Sequence, residues 1–154
     1  MVLRPSDVSN APALIDRLSV VAVNSAVGVD VYGHVNSTHV RGSRLLNGVG
    51  GSVDFNRNAH CTVVTLPSTA GDGDLSTVVP MATHVDHTEH DTDVIVTEHG
   101  VADLRGTTPT ERAERVIAVA DPAFRADLRR YLDRARKATG HVPHDLERAF
   151  DWQT

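Results

Sequence analysis

At 154 residues, with 15 lysine and arginine side chains against 20 aspartate and glutamate and a formal charge of −5, the chain is long enough to bury a core without metal or disulfide staples. It also lacks the basic excess of a nucleic-acid groove. Its single cysteine, Cys61, has no internal partner, and no apolar run approaches the roughly 20 residues that cross a bilayer.

No charged segment followed by an apolar run opens the chain as a secretory signal would, so a cytoplasmic location is expected. The "NST" at Asn36 has no meaning as a glycosylation acceptor without secretion. Aromatic residues make up only 4% of the chain, while valine and alanine abound, which points to small branched side chains packed on a sheet.

The first predicted element is a short helix in "SNAPALIDRL", capped by Ser9 or Asn10 and carrying an apolar stripe of Ala13, Leu14 and Leu18. "VVAVNSAVGVDVYG", broken at Asn24, Ser25 and Gly28, then reads as two strands joined by a turn, a hairpin or meander. Glycine recurs through "GSRLLNGVGGSVDF", from Gly42 to Gly51. That density favours a binding loop, whose backbone amides can approach a ligand closely, over a regular strand. "CTVVTL", "STVVP" and "DVIVTEHG" are three further β-branched runs separated by turn-rich pieces such as "AGDGDL". "TTPTERAERVIAVA" has threonine caps, Pro109 in its first turn, Glu111 nearby and Val116, Ile117 and Ala120 at helical spacing. "DPAFRADLRRYLDRARKATG" repeats that signature, with Asp121 as cap, Pro122 at the first helical position and Gly140 as stop. Without an internal repeat or linker, the whole reads as one α/β domain that ends in helices, over residues 1–140, followed by a looser tail from His141 to Thr154.

The densest chemistry in the sequence is "HVDHTEH", which offers His84, Asp86, His87, Glu89 and His90 as zinc-type ligands in seven residues. Their spacing argues against a metal. On a strand, His84, Asp86 and Thr88 share a face that His87, Glu89 and His90 do not converge upon. The helical zinc motif, two histidines four apart with a glutamate after the first, is absent.

Glu98 closes the strand-like "VIVTEHG", and ligands of α/β sheets gather at the carboxyl ends of strands; the alternative is an exposed glutamate at a strand end. The "GVGG" from Gly48 to Gly51 can take a phosphate or an oxyanion on its amides, but it lacks both the P-loop lysine and the dinucleotide spacing. Cys61 reads as an inward-facing, inert strand thiol.

Taken together, "LRPSDVSN", "NSAVGVDVYGHVNSTHVRGSRLLNGVGGSVDFNRNA", "VVPMATHVDHTEHDTDVIVTEHGVADLRGTTPTERA" and "ADPAFRADLRRYL" resemble the C-terminal domain of the acetyl-CoA hydrolase and acetate or succinyl-CoA CoA-transferase family. They run in family order over Leu3 to about Leu132. The resemblance implies an open mixed sheet of the CoA-transferase type with flanking helices. It also implies a class I mechanism, in which a glutamate attacks an acyl-CoA, passes through an acyl-glutamyl anhydride to a glutamyl-CoA thioester, and yields CoA to a small carboxylate. By position, Asn10 resembles the side-chain oxyanion donor, Gly51 the backbone donor, and Glu98 the second active-site glutamate, which orients groups and is not the nucleophile. Gly48, Gly50 and Gly51 stand as the substrate-binding loop. No metal or other cofactor is implied, coenzyme A being a substrate, and the three histidines are expected to be structural or cleft-lining.

In the family the nucleophilic glutamate lies upstream of the "LRPSDVSN" block, in sequence these residues do not include. The 154-residue chain by itself is therefore expected to be inactive and to need that N-terminal half, fused or as a separate subunit. An exposed apolar face is expected where that half docks, with homo-oligomerisation of the lone chain as a consequence. The rival expectation is a catalytically silent acyl-CoA-binding or interaction module; a histidine-rich metal-binding domain is the weakest.

Overall fold

The computed structural model describes residues 3–136 together with His144, Asp145 and Ala149. The amino-terminal elements are α1 (Ser6–Ser9), α2 (Pro12–Arg17), β1 (Val21–Ser25), β2 (Gly28–Asp30), β3 (Val35–Asn36), β4 (His39–Val40) and β5 (Arg44–Leu45). They are followed by α3 (Ser52–Asn58), β6 (Cys61–Thr65), β7 (Thr69–Ala70), β8 (Leu75–Ser76) and β9 (Val78–Val79). The chain then forms β10 (Val94–Thr97), β11 (Gly100–Asp103), α4 (Pro109–Ala118) and α5 (Pro122–Ala135).

The principal sheet has the order β1-β6-β10-β11. β6 lies parallel to both β1 and β10, and β11 returns antiparallel to β10 through the two-residue turn Glu98 and His99. A second sheet, β3-β2-β9, packs its Val29, Val35 and Val78 into the same core as Val64 and Ile95 of the first. The open mixed sheet with flanking helices is thus the observed architecture.

The valine-rich stretch from Val20 to Gly33 does form two strands, but they are not a hairpin. β1 joins β6 in the principal sheet while β2 joins β3 and β9 in the other. The break at Ala26 and Val27 is where the chain changes sheets: the Ala26 amide donates to Thr65 and the Val27 amide to Asn36. Such a crossing leaves the same turn-like break in a sequence as a hairpin does.

The first helix also differs from expectation. Two short helices stand there, and Ala11 and Pro12 start the second without a side-chain cap. Pro12 supplies the helical φ at the first position, where no amide is needed, which leaves Ser9 and Asn10 free for other partners. The inward residue is Ile15, at 2% exposure, while Leu14 and Leu18 face outward.

The glycine-rich stretch is mostly loop, with only the small β4-β5 ribbon at its start. Cys61 is not inward-facing: Thr62 and Val64 point into the core, so the strand's twofold alternation turns Cys61 and Val63 to the opposite face. β11 went unread in the sequence because its four residues carry too little alternation to stand out. Gly140 and most of the expected tail lie outside the described residues.

α4 and α5 cover the inward face of the sheet. Val116, Ile117, Leu128, Tyr131 and Leu132 are buried against Val64, Ile95 and Ala102. The cap of α4 is the reciprocal one read from "TPTE". Thr108 accepts the Glu111 amide at 3.3 Å, and Glu111 Oε2 accepts the Thr108 amide at 2.8 Å. Thr108→Ala is therefore expected to cost about 1 kcal/mol of stability, read as a lower urea midpoint with an unchanged slope.

The β2–β3 corner is organised by Asp30, whose carboxylate is 1% exposed as a residue. It accepts the amides of Tyr32, His34 and Ala82 and pairs with His34 Nδ1 at 2.9 Å. His34 Nε2 in turn reaches Glu89 Oε2 at 2.8 Å. The hydrogen bond to Asp30, with the two carboxylate charges behind it, outweighs partial burial and raises the His34 pKa above its ordinary value of 6.5. A raised pKa in the folded state means stability that is fully present below about pH 6.5 and lost as pH rises through the raised value. The stability difference between the natural chain and His34→Phe, followed by urea unfolding from pH 5.5 to 8.5, is expected to shrink over that range.

Candidate active site

Asn10 follows α1, and its carboxamide reaches across to the start of α3. Its Nδ2 donates to Asp54 Oδ2 at 3.3 Å, while Ser9 Oγ donates to its Oδ1 at 3.1 Å. The Nδ2 also lies directly over Gly51, so that a Cβ built on Gly51 would overlap the carboxamide nitrogen. Glycine permits this close approach, whereas the backbone conformation, with φ −82°, would accept any residue. The two positions are 41 residues apart in the sequence, and the structure brings them together at the wall of an open cleft of about 430 Å³, with Asp7, Pro12, Gly50 and Asp54. Of the expected binding loop, Gly50 and Gly51 line this cleft and Gly48 does not.

α3 is held in place from behind by polar contacts. Asn24 Nδ2 of β1 donates to Asn56 Oδ1 at 2.6 Å, and Thr62 Oγ1 of β6 donates to the Asn56 carbonyl at 3.1 Å. From the front, Ser52 Oγ donates to the Val49 carbonyl at 2.7 Å and contacts His87 Nε2 at 3.0 Å. With its proton committed to Val49, the Ser52 hydroxyl accepts from His87, which fixes the Nε2–H tautomer. Burial pushes the His87 pKa down, keeping the ring neutral. Ser52 follows Gly51 directly, so His87 anchors the loop that carries the Gly51 amide.

The other two histidines of the "HVDHTEH" segment go elsewhere. His84 Nε2 lies 3.2 Å from Asp86 and its ring packs on His39, while His90 is exposed beside Glu89. The segment is irregular chain ending in a 3₁₀ turn at Glu89–Asp91, not a strand. Among the described residues, the group of three whose histidine and carboxylate atoms all come within metal-binding reach of one another is Asp30, His34 and His144. The Asp30 carboxylate there already serves three amides and the His34 ring.

Glu98 lies in a separate group, in the turn between β10 and β11. The Ser68 amide donates to Oε2 at 2.9 Å and the Ser68 hydroxyl to Oε1 at 2.6 Å. His99 Nε2 lies 3.8 Å from Oε1 and 3.4 Å from Asp121. The Ser68 hydroxyl, followed by backbone amides and the nearby His99, lowers the Glu98 pKa below its ordinary value. Its side chain is nonetheless 50% exposed. Glu98 is therefore an ionised carboxylate held in a fixed orientation with a face open to a ligand. Ser68 was invisible in the sequence: it stands 30 residues before Glu98 and meets it only because β6 and β10 run parallel. Ser68→Ala should move the Glu98 titration upward, toward the ordinary glutamate value, as followed by the carboxyl carbon shift in an NMR pH series. An unchanged midpoint would show that the hydroxyl does not set this carboxylate's charge.

The model for the acetyl-CoA hydrolase/transferase C-terminal domain matches residues 1–132. The chain is 51% identical, over its whole length, to a succinyl-CoA:acetate CoA-transferase of Clostridium kluyveri, of which it covers 29%. It is 48% identical over 99% of its length to an acetyl-CoA hydrolase of Schizosaccharomyces pombe, of which it covers 31%. Among solved structures, 85% of the chain superposes on 31% of a 4-hydroxybutyrate CoA-transferase from Porphyromonas gingivalis, with a TM-score of 0.67 and 33% identity. The chain thus spans less than a third of the length of these proteins.

Proposed function

Since the chain belongs to the acetyl-CoA hydrolase/transferase C-terminal domain family, we propose that it supplies one wall of an active site that moves CoA between an acyl-CoA and a small carboxylate. The acyl group is acetyl, propionyl or succinyl. The remaining wall, with the nucleophilic glutamate, comes from an N-terminal half outside residues 1–154. The observation that carries this reading is the packing of the Asn10 carboxamide nitrogen against Gly51 at an open cleft, which brings the two expected oxyanion donors to one place.

That pair suits the reaction because each step creates an alkoxide-like oxygen that two fixed donors can stabilise. The incoming glutamate carboxylate adds to the thioester carbonyl, and the tetrahedral intermediate collapses by expelling CoA thiolate, leaving an acyl-glutamyl anhydride. The thiolate then adds to the glutamyl carbonyl of the anhydride and the acyl group departs as its carboxylate, leaving glutamyl-CoA. An acceptor carboxylate runs these steps in reverse, whereas water in its place makes the cycle a hydrolysis. Glu98 supplies an ionised carboxylate that orients the groups taking part in the reaction. Coenzyme A enters as substrate, with no further cofactor.

The test is to co-express the chain with the N-terminal 70% or so of the Clostridium relative and to assay CoA exchange between succinyl-CoA and acetate. Exchange is expected in the pair and not in either part alone. Asn10→Ala should lower kcat by about 10²- to 10³-fold, the usual cost of one oxyanion donor. Gly51→Ala should fold normally, since the Asn10 carboxamide can swing aside, yet lose activity to a similar extent. CoA binding without turnover in the assembled pair would instead support the silent acyl-CoA-binding module.

A further inference from the structure

A sheet built mainly from parallel strands is normally covered on both faces, because the crossovers that make it parallel lay helices over it. Here only one face of the principal sheet is covered. Ala22, Thr62, Val64, Ile95 and Ala102 point into the core. The opposite face is open: Val21 and Val23 of β1 are 57% and 63% exposed, and Val101 of β11 is 67% exposed. Between them Cys61 and Val63 of β6 and Val94 and Val96 of β10 are half-buried, shielded by their strand neighbours. Among the described residues no helix lies over this face.

The pairing registers make the open face one surface and not a scatter of apolar side chains. Val23 pairs with Val63, Val63 with Val94, and Val94 with Asp103. The next row runs Ser25, Thr65, Val96 and Val101. Valine runs across the face from one edge strand to the other, with polar corners at Ser25 and at Asp103, which Arg105 holds at 2.8 Å. A contiguous exposed apolar patch of this kind marks a docking surface.

We infer that this valine face is where the N-terminal part of the same enzyme docks, by laying an apolar helix stripe across β1, β6 and β10. The occupant follows from two facts. The chain matches a C-terminal domain and spans only 29% of the Clostridium transferase, so about 70% of such an enzyme lies outside the matched part and must meet it somewhere. And β1, the first strand reached from that side, is an edge strand with two exposed outer valines, Val21 and Val23. The inference rests on the proposed function for the identity of the partner, and adds the face by which that partner is held.

The chain carries its own probe, because its single cysteine lies on this face. Cys61 alkylation by N-ethylmaleimide, read as the mass shift of the 154-residue chain, is compared for the chain alone and for the chain co-expressed with the N-terminal part of the Clostridium transferase. Labelling in the complex is expected to be at least tenfold slower. Val23→Lys, at a position exposed on an edge strand, should keep the natural circular dichroism spectrum but prevent co-purification. If the complex forms and exchanges CoA while Cys61 labels at its free rate, the docking face is wrong and the proposed function stands. If the chain alone protects Cys61 in a concentration-dependent dimer that Val23→Lys dissolves, a second copy is the occupant and the inference is overturned. If neither complex nor exchange is seen, both readings fall.

Discussion

Parallel registration of β6 between β1 and β10 is the constraint on which the candidate site depends. It sets Thr65 beside Val96, and so brings the loop after β6 alongside the turn after β10. Only that arrangement lets one serine give both its amide and its hydroxyl to Glu98. On the other side of β6, the same registration aligns β1 so that Asn24 and Thr62 grip Asn56 together. That grip fixes α3, and with it Gly51 under the Asn10 carboxamide. A one-residue slip in either ladder would turn every alternate side chain to the other face and dismantle both groups at once.

The polar network around the second sheet serves the same end. A buried carboxylate is costly unless it is fully hydrogen-bonded, and Asp30 meets that condition through three amides and the His34 ring. By way of Glu89, the network continues into the histidine-rich segment, where His87 pairs with the β3 backbone and anchors Ser52. The cluster that most resembles a metal site in the sequence is therefore distributed over three separate jobs. The useful one for chemistry, holding the loop that carries the Gly51 amide, belongs to the most buried histidine of the three.

The two halves of the candidate site differ in physical character. Asn10 and Gly51 are neutral residues that line an open cleft beside the Asp54 carboxylate, whereas Glu98 is an anion that its surroundings keep ionised. Donors that are already oriented lose little on binding a developing oxyanion. A carboxylate whose oxygens are held by a serine hydroxyl and a backbone amide keeps its orientation and its charge. The open valine face on the far side of the sheet agrees with a domain built to be completed by another part of the same enzyme.

The sequence by itself determined the elements whose signals are local. The capping box at Thr108 and Glu111, the Asp121 cap with Pro122, and the β-branched runs of β6 and β10 are each written within a few neighbouring residues. Its ordered motifs also named the family, and with it Asn10, Gly51 and Glu98 as residues to watch. Tertiary structure alone decided what depends on partners far along the chain. Whether β1 and β2 form a hairpin or part into two sheets is settled by β6 and β9, and which way Cys61 faces is settled by the ladder it joins. Ser68 and His87 matter only through Glu98 and Ser52, 30 and 35 residues away. Periodicity and capping act over one or two turns of chain, whereas sheet order, facing and side-chain networks are set by the folded packing as a whole, which no short stretch of sequence contains.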